Sequence, residues 1–350
     1  MLDKDDWNVE LSEYIKQGEP SQVEKTKAWE TAIGLQDVDG LKTSENLIKT
    51  AKEHIEGNID IEEAKERINQ YYEALDSRKD MENRTEEADK VSVRITEILS
   101  EKTFNFSVME LMNIHKRLFD GIYSMAGIFR DYNITKKEWA LNGETVIYSP
   151  YEIIEDTLTY DFEKEKNFSY KGLNLDESIK HLSRFMSDIW QVHPFGEGNT
   201  RTTAVFIIKY LRTFGFNIND EVFAENSWYF RNALVRANYK NFEKAIFEDT
   251  SFLEKFLYNL LTKENNELKN RETNIDNKSE ILQCSKHKDC TLEEQAIINI
   301  LKSFPKVNQE QIAQKINKSI RTVKAYMIEM QEKGLIERKN GKKNGEWVVK

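Results

Sequence analysis

An imidazole, a carboxylate, an amide and a guanidinium fall within nine residues in the run His193-Pro194-Phe195-Gly196-Glu197-Gly198-Asn199-Thr200-Arg201. Together they suit phosphate chemistry: a base, an oxygen ligand for magnesium, and groups that offset negative charge. Gly196 and Gly198 let the backbone turn tightly and approach a ligand. From Arg201 onward apolar residues recur at helical spacing through Ala204, Val205, Ile207, Ile208 and Leu211. The run therefore reads as a loop leading straight into a helix. A helix start offers backbone N–H groups and the positive end of the dipole to an anion. Taken singly, each residue also has an ordinary structural use.

The elements that must hold this loop are mostly helical. The chain has 350 residues with only four prolines and fourteen glycines. Charged residues make up 32% and hydrophobic ones 39%, as in a soluble globular protein with room for two or three domains. No secretory signal and no membrane span are expected, because the start is acidic and the apolar runs are short. Two cysteines, Cys284 and Cys290, make no disulfide framework and fit a reducing cytoplasm. The net charge of −10 is uneven. Residues 286–350 carry 14 Lys and Arg against 8 Asp and Glu, so a basic tail follows an acidic body.

Residues 1–82 read as a segment of short helices. Val9, Leu11, Tyr14 and Ile15 mark the first, and Val23–Val38 the second, with Gly40 as C-cap. Ser44–Ile55 and Ile61–Tyr72 follow, the last with Asp60 as N-cap. On pattern alone this is a docking or dimerisation appendage, which keeps a homodimer among the expected partners. Residues 83–262 form the main body. Its helix from Leu175 to Trp190, apolar at Ile179, Leu182, Phe185, Met186 and Ile189, delivers the chain to the loop. Asn142-Gly143 between short β-prone runs predicts a hairpin that includes Thr145, Val146 and Ile147. The aromatic and asparagine residues at 228–239 suit core packing, with an adenine pocket as the alternative.

Residues 263–289 are polar and read as a linker. Cys284, His287 and Cys290 lack a fourth group and a recognised spacing for a metal. Residues 290–350 resemble a winged helix-turn-helix. Its third helix, capped by Ser319, turns Arg321, Thr322 and Lys324 outward, and a basic turn with Lys342 and Lys343 lies between two short strands. These side chains could neutralise the phosphates of duplex DNA; a protein-binding winged helix is the alternative.

The string HPFGEGNTR resembles the signature loop of the Fic family, HPFx(D/E)GNGRxxR, whose members mostly transfer AMP from ATP to a protein hydroxyl. The resemblance implies a mainly α fold, a Fic helical core with a β-hairpin flap, beside the C-terminal winged helix. It makes His193 the general base and Glu197 the Mg²⁺ ligand. Gly196, Gly198, Asn199, Thr200 and Arg201 would hold ATP phosphates, and Phe195 would anchor the loop. Thr145, Val146 and Ile147 would hold a segment of the protein substrate as an added strand. Gly127-Ile128-Phe129-Arg130 resembles the family's turn before that flap.

Residues from Ala32 onward also resemble the small VbhA-type antitoxin that inhibits Fic enzymes. Its motif, (S/T)xxxE(G/N), falls on Leu35-Gln36-Asp37-Val38-Asp39-Gly40. This points to Asp39 as the regulatory carboxylate, with Glu56 of Ile55-Glu56-Gly57-Asn58 as the alternative. Two positions depart from the loop signature. Thr200 replaces a glycine, either shifting the backbone or capping the helix through its hydroxyl. Ala204 replaces the final arginine, a loss of about 1.5–3 kcal/mol at a triphosphate. The arginine that normally pairs with the inhibitory carboxylate is thus missing, so inhibition through that pair is not expected. The expected function is protein adenylyl transfer. The alternatives are an inactive Fic-fold regulator that binds DNA and a transferase using another nucleotide donor.

Overall fold

A computed structural model of the chain describes residues 20–74, 84–216, 218, 221–277, 290–339 and 345–350. The expected helix around Val9–Ile15, Cys284, His287, Lys342 and Lys343 lie outside the described residues. Helix α1 (Pro20–Gly34) tightens into a 3₁₀ turn over Leu35–Asp39, and Gly40 closes it at φ 67°. Helix α3 (Ile61–Ala74) begins at the expected cap, where Asp60 accepts from the Glu63 N–H, and α2 (Glu45–Glu56) begins one residue later than read, with Ser44 as the cap that accepts from the Leu47 N–H. Trp29, Ile33, Leu47, Ile48, Ala51, Ile55 and Ile68 pack with Val93 into a small core of their own. That core docks the N-terminal segment on helix α4 (Thr85–Ser100).

The body continues with α5 (Val108–Phe119), α6 (Ile154–Lys166), α7 (Leu175–Val192), α8 (Asn199–Thr213), α9 (Glu221–Ala237) and α10 (Ser251–Thr262). Every residue of α8 from Asn199 to Leu211 is buried. It is the central helix, which explains why its apolar residues surround the axis instead of lining one stripe. Helix α7 starts on a capping box between Asn174 and Glu177, and its buried face carries the side chains read from the sequence. Its far end releases the chain into the loop at His193.

Two expectations are corrected here. No strand ladder forms at 134–149. Trp139–Leu141 wind into a 3₁₀ turn that Asn142 closes in the left-handed region, and Glu138 N–H to Glu144 O is the rung that remains. The Asn-Gly pair is used to end this turn rather than to fold a hairpin. Secondly, residues 264–277 are no free linker but a strap across the body. Ile275 N–H donates to Ala140 O, Asn274 donates to Trp139 O and to the Asn142 side chain, and Arg236 donates to Thr273 O.

The C-terminal unit has helices α11 (Leu292–Ser303), α12 (Gln309–Lys315) and α13 (Ile320–Glu332). Strands β1 (Ile336–Lys339) and β2 (Glu346–Val349) pair antiparallel, with Ile336 opposite Val349. It is seated on the body: Asn299 donates to Leu261 O at 2.7 Å, and Ile316 fills the space that a side chain at Gly215 would need. Arg321 and Lys324 of α13 are exposed, and Thr322 is half-buried at the Ser319 cap.

Candidate active site

The loop is built from the inside. Phe195 is fully buried and stacks on His115 with centroids 3.7 Å apart. The His115 ring accepts the Gly127 N–H at Nδ1, so its Nε2–H donates to the Glu197 carbonyl at 3.0 Å. Burial, aided by the Arg201 charge, lowers the His115 pKa to about 4, which keeps this tautomer neutral. Arg130 clamps the entrance. Its guanidinium donates to the carbonyls of Tyr132, Ser149, Val192 and His193, while its N–H donates to Pro194 O. Gly198 sits at φ 75°, and a Cβ there would run into the Phe119 ring. Gly196 lies against the Tyr132 hydroxyl.

His193 is 2% exposed and itself adopts left-handed backbone angles, φ 49° and ψ 57°. Its Nδ1 lies 3.2 Å from the Trp190 carbonyl. A carbonyl only accepts, so Nδ1 carries the proton and the lone pair is at Nε2. The Tyr148 ring packs over the imidazole at 4.3 Å. Burial, with the charges of Lys136 and Arg231, holds the His193 pKa well below the usual histidine value. Glu197 stands at the rim, its carboxylate half exposed and 3.1 Å from Lys136 Nζ.

Three loop residues have partners within the protein. Asn199 bonds its amide to the Phe195 backbone, accepting that N–H and donating to that carbonyl, which closes the loop. Thr200 lies inside the helix, where no positive φ is needed; Gly198 carries that angle. Its hydroxyl does not cap the helix but accepts the Trp190 indole N–H at 3.0 Å. Arg201 is completely buried and already partnered. It donates to the Gln36 side chain at 3.0 Å and to Glu87 at 2.7 Å, and lies 2.8 Å from Asp39.

Asp39 is therefore at the pocket, in the register read from the sequence but with different partners. It faces Arg201 on one side and Arg231 on the other, the latter at 3.2 Å. Burial raises its pKa, but the charges of Arg201, Arg231 and Lys136 outweigh that and hold it below the ordinary value. Glu56 is not at the pocket. It is exposed at the end of α2 and accepts from Asn58.

Residues 144–149 form neither helix nor strand. Val146 is buried, Ile147 is 75% exposed, and the Thr145 hydroxyl accepts the Lys136 N–H. Gln191 donates to Ile147 O at 2.8 Å and fixes the stretch beside the loop. Around 228–239, Tyr229, Leu234 and Val235 are fully buried core and Asn238 bonds to Ser187 O and Leu234 O.

Sequence reasoning gave no role to His115, Glu87, Glu138 or Arg231. Only the spacing of His115, four residues before Phe119 on the buried face of α5, hinted that its ring points inward. Among the described residues no group of three or more metal-ligating side chains is assembled. No helix of the described residues is long and apolar enough to cross a membrane.

Residues 105–211 match the Fic/DOC family, and residues 294–337 match the winged helix-turn-helix DNA-binding family. The chain is also similar to the protein adenylyltransferase VbhT of Bartonella schoenbuchensis, 30% identical over 114 residues. The match covers 33% of this chain and 23% of that relative, so the chain spans under a quarter of the relative's length.

Proposed function

We propose that this chain, which carries a Fic/DOC-family domain at residues 105–211 and a winged helix at 294–337, transfers AMP from ATP to a protein hydroxyl. The reading is supported most by the His193 imidazole, oriented through Nδ1 so that the Nε2 lone pair is the basic one. Nε2 takes the proton of the hydroxyl, whose oxygen forms the new bond to the α-phosphorus as the bond to pyrophosphate breaks. A lowered pKa leaves the imidazole unprotonated at neutral pH, ready to act. The start of α8 turns backbone N–H groups toward the developing charge.

The residues present fit Mg²⁺. Glu197 is a half-exposed carboxylate whose lysine partner is a surface contact, easily exchanged for a cation. The bound ion would neutralise phosphate charge. The stretch at 144–149, which joins no strand and is tied beside the loop by Gln191 and Arg130, suits a protein segment as substrate.

The test is incubation with Mg²⁺ and ATP labelled at the α-phosphate, in a cell lysate and alone, beside a His193→Ala control. Label on protein that disappears with His193→Ala supports the reading. No label from any variant counts against it. A second reading, a nucleotide-sensing regulator that binds duplex DNA, draws support from the winged helix being seated on the body and from the buried Arg201, whose terminal nitrogens already meet Gln36, Glu87 and Asp39. Specific DNA binding altered by nucleotide, with no label transferred, would favour it.

A further inference from the structure

The His193 imidazole is held by one hydrogen bond and two rings. Its Nδ1–H reaches the Trp190 carbonyl at 3.2 Å, the long end of the hydrogen-bond range. A histidine ring has two broad orientations about its last rotatable bond, so one long bond does not select between them. The Trp190 ring stands at 90° to the imidazole with centroids 5.1 Å apart, and the Tyr148 ring lies over the imidazole at 4.3 Å. Tyr148 and Trp190 also meet edge to face at 5.9 Å. The three rings are one packed unit.

Trp190 is rooted in α7 and in its indole bond to Thr200. Tyr148 lies outside any helix, yet its backbone and its tip are both pinned. Gln191 donates to the carbonyl before it, at Ile147, and Arg130 to the carbonyl after it, at Ser149. Its hydroxyl donates to the buried Glu138 carboxylate at 3.1 Å. Glu138 is held in turn: Arg231 donates to both of its oxygens, and its N–H bonds to Glu144 O. The turn that follows Glu138 is tied to the strap through Ile275 N–H on Ala140 O. Burial, aided by the Glu138 charge, raises the Tyr148 pKa, so the hydroxyl stays a donor at neutral pH. Any apolar side chain could fill this space, but the hydroxyl sets the distance from Glu138 to the ring. The exposed neighbour Ile147 belongs to the stretch suited to a protein segment, so base and acceptor are governed by one short run of chain.

We propose that Tyr148 is a positioning residue for His193. Its ring, tethered to Glu138, keeps the imidazole in the orientation that bonds Nδ1–H to Trp190 and leaves Nε2 free for the acceptor hydroxyl. The orientation belongs to the fold; its use in proton removal rests on the transferase reading above.

The test is read first without activity. Ring-nitrogen NMR of the full chain, with His193 assigned by its loss in His193→Gln, reports tautomer and titration. In the wild type the Nδ1–H tautomer is expected to persist from about pH 8 to about pH 5. Tyr148→Ala opens the imidazole to water, with the cations Lys136, Arg231 and Arg130 still beside it. It is expected to mix the tautomers and to move the titration up toward, but not to, the ordinary value of about 6.5. Tyr148→Phe keeps the ring and is expected to keep the tautomer. Tyr148→Leu fills the space without a flat ring, is expected to let the second tautomer appear, and serves if Tyr148→Ala melts early. A tautomer and titration unmoved by both Tyr148→Ala and Tyr148→Leu overturn the proposal, as does Tyr148→Phe behaving like Tyr148→Ala. In transfer of α-label, Tyr148→Ala is expected to lower kcat at least about tenfold with KM for ATP within about twofold, and to move the acid limb up with the titration. A raised KM with unchanged kcat overturns the positioning role. A wild type that transfers no label, with a tautomer that follows Tyr148, supports the positioning and defeats the transferase reading alone.

Discussion

The two walls of the pocket are held by different forces. The loop wall, His193–Arg201, is fixed by hydrogen bonds between neutral or backbone groups and by ring packing: the Arg130 clamp, the His115 tautomer, the Asn199 closure and the Thr200–Trp190 bond. The opposite wall is one 3₁₀ turn ending at Asp39, which meets Arg201 and Arg231 through the Asp39 charge and through hydrogen bonds to the Gln36 side chain and the Val38 carbonyl. The loop wall is held without buried carboxylates, whereas the turn adds buried charge to its directional bonds.

The most severe way to break this distinction is Arg130→Ala. It strips the donor from carbonyls at 132, 149, 192 and 193 at once, two of them, at Val192 and His193, buried at the start of the loop. We expect a loss of about 3–4 kcal/mol in denaturant unfolding, since some carbonyls regain water, together with loss of nucleotide binding. A variant within 1 kcal/mol of the wild type, roughly the error of such a figure, would mean that the loop does not need its clamp.

Acid separates the walls by pH. His115 and His54 are held neutral with pKa values of about 4 by burial, and His193 is lowered in the same direction. Between pH 6.5 and 4 the unfolded chain takes up protons on these rings that the folded chain refuses. These rings therefore remove stability across that window, by up to about 3 kcal/mol for each of His115 and His54 at the low end, while Asp89 and Asp161, raised by burial to about 6, gain stability over the same range and offset part of it. Asp39 and Glu87, lowered below their ordinary values of 3.8 and 4.5, behave oppositely. Their contribution is whole above those values and is lost only as pH falls below them toward the depressed folded values. The loop side is read through His115 alone, since His54 belongs to the N-terminal segment. A pH slope of stability between 6.5 and 4.5 left unchanged by His115→Gln would contradict this.

How much of this arrangement was legible in the sequence follows the same division. Caps, the all-round apolar α8 and the loop itself are local patterns, and Gly40, Ser44, Asp60 and Phe195 sit where periodicity and side-chain chemistry put them. Asp39 was reached by register alone. Its partners were not, because Arg231 is 192 residues away and nothing local marks it. Arg130 was marked only by the resemblance of residues 127–130 to a family turn, and the role of His115 not at all, because both act on backbone groups that every residue carries. Composition misled at 264–277, where asparagines that suggest a linker are spent on hydrogen bonds to the body. It also misled at Asn142-Gly143, where one turn chemistry serves both a hairpin and a 3₁₀ end.

Thr200→Gly sharpens the loop side with a smaller effect. It restores the residue expected from the signature, yet here it removes the acceptor of a buried indole N–H and adds a glycine to a helix. A destabilisation of about 1–3 kcal/mol is expected in denaturant melts. A stabilised variant would show that the threonine strains the loop.

The smallest effect on the pocket is expected from the surface farthest from its logic. Arg321 and Lys324 are exposed on α13, where neither packing nor buried charge depends on them, so replacing both with alanine should leave unfolding within about 0.5 kcal/mol. Their effect belongs to long-range charge instead. If the helix lies against duplex DNA, each lost phosphate contact lowers the slope of log affinity against log salt by about one, so the double variant should lose about two and bind all sequences more weakly. An unchanged slope would remove α13 from the DNA interface. A changed slope with unchanged unfolding would mark the winged helix as a third region, held by neither buried charge nor loop hydrogen bonds, whose exposed cations act on a partner outside the fold.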